Sequence, residues 1–227
     1  MLIDPYTWHT ATIVEIIRES DNAVSIRVDT KDDYTILAGQ HAVVRTQLTH
    51  DIRLMRQYSF SSAPRSHEIW FTIVKTDGGS VSSWYVDHAQ VGDTIDISQP
   101  FTGPLQTDIA ITNTRIHLIG GGSGIAPLMS IVRERRQRGI SATTVIYSTR
   151  SNERCFVDEL IPHDDEAIHI RDTHTTHRIT ATEIETWCLD GNHIFICGSR
   201  QFVDDMRKTI ADLLPSAMIY SEAFSLV

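Results

Sequence analysis

Two periodicities divide the chain. Before about residue 100, β-branched residues alternate with polar ones over the short runs 11–17, 23–29, 41–48, 57–61, 69–76 and 94–98, with turn residues such as Asp21-Asn22, Ala38-Gly39 and Val91-Gly92-Asp93 between them. Alternation with period two predicts strands that bury one face. Six of them at this spacing predict a closed antiparallel β-barrel, with one helical stretch near 81–89. Beyond that point the runs 115–119, 143–147, 167–171, 193–197 and 217–220 are compact and apolar, as in strands buried on both faces. Helical segments are expected between them at 125–138, about 155–160, 181–189 and 201–214. In the first of these, Leu128, Ile131, Val132 and Arg135 share one helical face, and Gly139 follows as a stop. Thr180 and Glu183 form a capping box for the third. Alternating strands and helices predict a five-stranded parallel α/β sheet with right-handed crossovers. The expected architecture is two-domain, residues 1–107 and 108–227, with the boundary after the turn cluster Gln99–Pro104.

Composition narrows the function classes. Hydrophobic residues make up 41% and charged residues 22%, which predicts a globular chain and not a disordered one. The 20 Lys and Arg against 29 Asp and Glu give a net charge of −9, a poor match to a nucleic-acid backbone. No run reaches the ~20 apolar residues of a membrane span. The stretch Met1–Thr12 lacks both a basic leader and an apolar core, so a cytoplasmic location is expected. Cys155, Cys188 and Cys197 are far apart, which predicts neither a disulfide framework nor an iron–sulfur cluster within this sequence. His169, His174 and His177 are read as solvated loop residues, and no metal site is expected.

Three segments carry candidate chemistry. Gly120-Gly121-Gly122-Ser123-Gly124 lies between an apolar strand and a helix, with Pro127 just inside that helix. Glycines let backbone approach a pyrophosphate, and the helix N-terminus offers it free N–H groups. A tight turn that needs glycine for packing alone explains the same residues. Arg56-Gln57-Tyr58-Ser59 alternates along a strand, so Arg56 and Tyr58 share one face and Ser59 points the other way. Arginine can pair with a phosphate, and a tyrosine ring can cover a flat aromatic ligand. Gly78-Gly79-Ser80-Val81-Ser82 begins the single helix of the first half and offers a second anion site; a hairpin tip with Ser80 as N-cap is the alternative. Two phosphate-type sites, one per half, suggest two phosphorylated ligands that meet at the domain interface.

The ordered set of motifs resembles the ferredoxin–NADP reductase-like flavoenzymes over nearly the whole chain. Arg56-Gln57-Tyr58-Ser59 is similar to the family's R-x-Y-S flavin motif, Gly79–Ser82 to its pyrophosphate loop and Gly120–Pro127 to its nicotinamide-nucleotide loop. Tyr147–Arg150 with Asp158-Glu159-Leu160, Cys197-Gly198 and Ser221–Phe224 resemble further segments in the family's order. The resemblance implies FAD and NAD(P)H as cofactors. Arg56 and the loop Gly79, Ser80, Val81 and Ser82 would hold the FAD pyrophosphate, with Gln57 beside them. Tyr58 would stack on the flavin, and Ser59 would lie near its hydride-accepting nitrogen. Gly121, Gly122, Gly124, Pro127 and Gly198 would receive the nicotinamide nucleotide, with Cys197 near its reactive carbon. Phe224 would cover the flavin face that the nicotinamide must reach.

Ala126 and Ser199 depart from the family pattern, and they bear on coenzyme affinity more than on reaction type. Arg150, Arg154, Arg171 and Arg178 lie where an adenosine ribose is expected. Arg150 and Arg171 are the candidates for a 2′-phosphate, with no acid placed to exclude it, which tilts coenzyme choice toward NADPH. The basic run Arg133, Arg135, Arg136 and Arg138 is read as a complement to the helix dipole or a surface for an acidic partner. The implied activity is hydride transfer from NAD(P)H to FAD, followed by electron transfer to a separate carrier such as a ferredoxin, flavodoxin or oxygenase component, or to a small acceptor. Two alternatives are a flavin reductase that releases reduced flavin, favoured by the ending Ala223–Val227, and an electron-transfer subunit of a larger complex.

Overall fold

The computed structural model describes residues 6–31, 33–64, 67–188 and 192–224. The first half folds as a six-stranded antiparallel sheet of β1 (Trp8–Ser20), β2 (Ala23–Thr30), β3 (His41–Gln47), β4 (Arg53–Ser59), β5 (Ile69–Val74) and β6 (Thr94–Ser98), in the order β4-β3-β6-β1-β2-β5. Asp21-Asn22 closes the first hairpin, since Ser20 pairs with Ala23. Alternate residues enter the core: Ala42 and Val44 of β3 pack with Ile95 and Ile97 of β6 and Phe71 and Ile73 of β5. The edge strands β4 and β5 share no continuous ladder. Just past β4, a bridge joins Phe60 to Phe71, and the Ser61 N–H donates to the Trp70 carbonyl at 2.9 Å. The expected closed barrel is therefore a curled sheet tied at one point. Helix α1 (Ser80–Asp87) plugs its open end with Tyr85, whose hydroxyl lies 2.7 Å from that of Thr46.

The second half is a parallel sheet of β7 (Ile116–Gly121), β8 (Thr143–Thr149), β9 (Ala167–Asp172), β10 (His193–Ser199) and β11 (Met218–Phe224), in the order β11-β10-β7-β8-β9. Helices α2 (Ile125–Gln137), α3 (Ala181–Trp187) and α4 (Arg200–Leu213) cover it. Leu118, Val145 and Phe195 face α2 on one side, and Ile119, Ile146 and Ile196 face α3 and α4 on the other. The capping box of Thr180 and Glu183 is present in α3. Leu189, at the expected end of that helix, lies outside the described residues.

One expected helix is absent. Residues 155–160 form a turn, with Phe156 at φ +59°. Their amides are spent on tertiary partners: Cys155 N–H donates to the Tyr147 hydroxyl at 3.3 Å, and Phe156 N–H to Glu19 Oε2 at 2.7 Å. Six residues are too few to form a helix against that competition.

The basic run of α2 also departs from expectation. Arg135 stands on the apolar face and is fully buried. Its guanidinium donates to the Thr143 hydroxyl and to the carbonyls of Ala110, Thr112, Thr114 and Ala142, all at 2.8–3.0 Å. No carboxylate is among these acceptors, and burial lowers its pKa to about 10. Arg133, Arg136 and Arg138 are ion-paired to Glu159, Glu166 and Glu134. The run is a set of internal ties and not a free surface for an acidic partner, while Arg135 and Arg136 do lie in the last turn of α2, where they complement the helix dipole. Replacing Arg135 with Met should strand the carbonyls of Ala110, Thr112 and Thr114 and the Thr143 hydroxyl without donors, while the Ala142 carbonyl keeps the Ile116 N–H at 3.2 Å. Unsatisfied buried groups cost about 1–3 kcal/mol each before relaxation, so a loss of at least about 3 kcal/mol is expected in denaturant unfolding. A loss below about 1 kcal/mol would show that water replaces the guanidinium.

Candidate functional site

The gap between β4 and β5 opens into a cleft of about 480 Å³, a size suited to a small-molecule site. Arg56, Gln57, Tyr58 and Ser59 line one wall, and the segment from Thr76 to Ser82 lines another. From the second half, Ser123, Ala126 and Phe224 complete it. Three of the sequence motifs, which lie at positions 56–59, 78–82 and 224, thus converge on one cavity, with the glycine loop at its rim.

Each wall follows from local structure. In β4, Tyr58 pairs with Ala42, an inward residue of β3, and Arg56 with Val44, also inward. Ser59 pairs with His41 and so stands on the opposite face, as the alternation predicted. Because β4 is an edge strand, both faces reach the cleft. Tyr58 touches Tyr85 edge-on at 5.8 Å, and burial raises its hydroxyl well above the ordinary tyrosine pKa, so it stays protonated. Arg56 Nη1 donates to the neighbouring Met55 carbonyl at 2.8 Å, which leaves the rest of the guanidinium to the cleft.

The start of α1 differs in detail from expectation. Gly79, not Ser80, is the N-cap, and no side chain caps the helix. Its first-turn N–H groups therefore face the cleft without a protein acceptor, as an anion site requires. Ser82 Oγ accepts from the Thr76 N–H at 3.1 Å, which holds the loop and leaves its own proton to donate. A Cβ on Gly79 would lie 2.7 Å from that oxygen. Arg56 and this helix terminus face one cavity, a donor set that fits a pyrophosphate.

The glycine loop sits at the topological switch point, where β7 is flanked by β8 on one side and β10 on the other. A Cβ on Gly124 would stand 2.1 Å from the Cys197 carbonyl oxygen, and one on Gly121 or Gly198 would stand 2.7 Å from the Phe202 ring. The packing explanation therefore accounts for these three. Gly122 is different: it has φ +54° and open space around it, and so presents bare backbone outward. Pro127 is buried in the first turn of α2, and Cys197 is fully buried. Burial and the charge of Glu222 hold the Cys197 thiol well above its usual pKa, so it remains a neutral group and not a nucleophile. None of Gly121, Gly122, Gly124, Pro127, Cys197 or Gly198 lines the 480 Å³ cleft; they frame the crevice next to it.

Sequence reasoning missed Glu222. It pairs in register with Cys197, its carboxylate packs on Gly103 of the interdomain linker, and burial raises its pKa above the carboxylate norm. Its signal was present, an acid two residues before Phe224 in a strand expected to be buried. The arginine reading is also corrected, because acids do face the two candidates. Arg150 is bound to Glu153 at 2.9 Å, and Arg171 is ion-paired with Glu183. Among the described residues, Arg154 and Arg178 have no ion-pair partner, and Arg154 Nε is buried without an acceptor. No group of three or more potential metal ligands occurs among the described residues. Of the ending 223–227, only Ala223 and Phe224 are described.

Residues 10–105 match the model of the oxidoreductase FAD-binding domain family. The reductase component of the naphthalene 1,2-dioxygenase system of Pseudomonas putida, a ferredoxin–NAD(P)+ reductase, is 24% identical over 94% of this chain and 68% of its own length. The ferredoxin reductase component of 3-ketosteroid-9-alpha-monooxygenase of Mycobacterium tuberculosis is 25% identical over 93% of this chain and 64% of its own. Residues 10–105 thus match an FAD-binding oxidoreductase domain, and the chain as a whole is similar to ferredoxin–NADP reductase-like FAD/NAD(P)-binding proteins. It spans about two thirds of the length of those two relatives. Its fold is that of the ferredoxin NADP+ reductase of Neisseria gonorrhoeae, solved with FAD and NADP bound, at TM-score 0.79 and 18% identity, covering 95% of this chain and 98% of the other. The reductase-like fold thus surrounds both the cleft and the switch-point crevice.

The two glycine environments give a direct test. Gly124→Ala should displace Cys197 or lower the thermal midpoint by about 10 °C or more, well beyond the few degrees expected for Gly122→Ala, because backbone cannot yield as a side-chain tip can. Gly122→Ala should cost only about 1–2 kcal/mol, the ordinary strain of a left-handed backbone. Equal midpoints for the two variants would show that the loop is not pinned at Cys197.

Proposed function

We propose that this chain is an FAD-containing NAD(P)H oxidoreductase. It takes a hydride from NAD(P)H onto FAD and passes the electrons to a separate carrier: a ferredoxin, a flavodoxin or an oxygenase component. The observation that carries the reading is the convergence of Arg56, Tyr58, the uncapped start of α1 and Phe224 on one cleft beside the switch-point loops. The names of the relatives support it, since they are reductase components of oxygenase systems. No helix among the described residues is long and apolar enough to cross a membrane. A cytoplasmic location belongs to the same proposal.

Bound FAD would supply the hydride and single-electron chemistry, and the chain supplies placement. Arg56 and the first-turn amides of α1 would hold the diphosphate, and Tyr58 would offer its ring to the flavin. Ser59 offers a hydroxyl on the face turned toward the second domain. Phe224 ends β11 at the mouth of the cleft, where it excludes water until the nicotinamide displaces it. The crevice between Gly122 and Gly198 would receive the coenzyme, with Cys197 at its base. The two domains are fixed for this by cross-boundary bonds: Ser130 Oγ to the Ser62 carbonyl at 2.6 Å, and Asn22 N–H to the Asn152 carbonyl at 3.0 Å. Alignment of two bound cofactors is worth far more than any one contact.

Purified protein should carry one FAD, and Arg56→Ala should weaken its retention about tenfold or more, because a charge-assisted phosphate contact is worth roughly 1.5–3 kcal/mol. Flavin content after gel filtration at low protein concentration measures this. Full occupancy in the variant removes Arg56 from the site, and colourless wild type removes the whole reading. Coenzyme choice has its own test. Arg150→Glu should weaken NADPH binding more than NADH binding if Arg150 meets a 2′-phosphate. Equal loss for both coenzymes in direct titration would show that Arg150 does not discriminate between them.

A further inference from the structure

One contact near the cleft has no place in the scheme above. His41 begins β3 in the first domain, and its Nδ1 lies 3.7 Å from Glu222 Oε1 of β11 in the second. That nitrogen is buried and has no hydrogen-bond partner. The ring is held from the other side by Phe101, stacked at 5.9 Å with planes 28° apart, and the strand by reciprocal backbone bonds between residues 41 and 101. His41 is also the cross-strand partner of Ser59, so both side chains stand on the face turned toward β11. Glu222 is the register partner of Cys197 and lies two residues before Phe224. The groups around the contact are thus Ser59 on β4, Phe101 on the linker, Cys197 on β10 and Glu222 on β11. Among the described residues no cation other than His41 lies within ion-pair reach of Glu222.

We propose that His41 is a positioning residue of the oxidoreductase reaction proposed above: across the domain boundary it holds the Glu222 carboxyl beside Cys197 and sets its proton affinity. The inference rests on that reaction. A hydride delivers two electrons with one hydrogen nucleus, and a carrier that accepts electrons singly takes no proton, so each turnover leaves one proton to release. At 3.7 Å the two groups make no hydrogen bond, so a proton passes between them only when that gap closes: the carboxyl O–H bond then breaks as the Nδ1–H bond forms, and charge passes from a neutral pair to an ion pair. Burial acts on the two groups in opposite senses, raising Glu222 and lowering His41. Their proton affinities are thereby brought closer. A wholly structural His41 would need no buried, unpartnered nitrogen aimed at a carboxylate.

The test uses the whole flavoprotein. The His41 ring signal, identified by its loss in His41→Gln, is titrated by NMR in wild type and in Glu222→Gln. Removing an anion at this distance should lower the His41 midpoint by about one pH unit, tenfold in proton affinity. The pH profile of electron transfer from NADPH to ferricyanide is then compared, and one limb of the wild-type profile should disappear in both variants. An unchanged His41 midpoint in Glu222→Gln overturns the proposal, and so do wild-type pH limbs in both variants. Flavin content and bleaching by NAD(P)H are read on wild type first. Failure there refutes the oxidoreductase reading and takes the proposal with it, whereas success there with an unmoved His41 refutes the proposal alone.

Discussion

The carbonyl of Cys197 occupies the place where a Cβ on residue 124 would stand, and the geometry of the second domain follows from that contact. Two strands that run side by side, β7 and β10, hand their chains to helices on opposite faces of the sheet. Their connecting loops must therefore diverge, and the divergence creates the crevice that α/β sheets use for ligands. At its base the loops touch backbone to backbone, which only glycine permits. This contact fixes the start of α2, and with it Ser123 and Ala126 at the rim of the cleft. It also fixes where Cys197 lies, and through the β10–β11 ladder the positions of Glu222 and Phe224.

The first domain contributes a defect. A fully closed barrel would bury β4 and leave no cavity, whereas a single tie at Phe60 and Phe71 lets the edges part beyond it. The exposed edge carries Arg56 and Gln57, residues that resist further strand pairing, and α1 covers the opening from inside. An uncapped helix start and a guanidinium with free donors are unfavourable in isolation. Under the proposed function each would meet an anion. The stability of the cleft and its capacity to bind are thus opposed locally, and the packed core on either side makes up the difference.

Most of the architecture was legible in the sequence because it depends on periodicity. The strand runs differ from the observed strands mainly by a few residues at their ends, and the Thr180–Glu183 box needs only spacing. The segment 155–160 misled because its local pattern competes with two distant acceptors, Glu19 and Tyr147, which no local rule reveals. Arg135 was correctly placed on the apolar stripe, yet its charge was read as a surface property. Five backbone and hydroxyl acceptors from two separate segments, 110–114 and 142–143, cannot be seen along one helix. For the site, the motifs were visible but their division of labour was not: Gly121 and Gly124 serve packing, while Gly122 is the one that faces open space. Glu222 escaped because its partners, His41 and Gly103, are more than a hundred residues away.

Ion pairing separates the arginines near the expected ribose. Arg150 is 60% exposed, and an exposed pair such as Arg150–Glu153 is worth at most about 1 kcal/mol. A phosphate dianion can therefore recruit Arg150 from Glu153 at little cost. Arg171 differs: it is 20% exposed, its guanidinium lies 5.8 Å from the centre of the Trp187 ring, and its partner Glu183 also completes the cap of α3. Drawing Arg171 outward would loosen the helix start as well as the pair. Arg154, which has no carboxylate to leave, faces no such cost. Of the two paired arginines, Arg150 is thus the one that could turn to a phosphate at little cost, whereas Arg171 is tied to the start of α3.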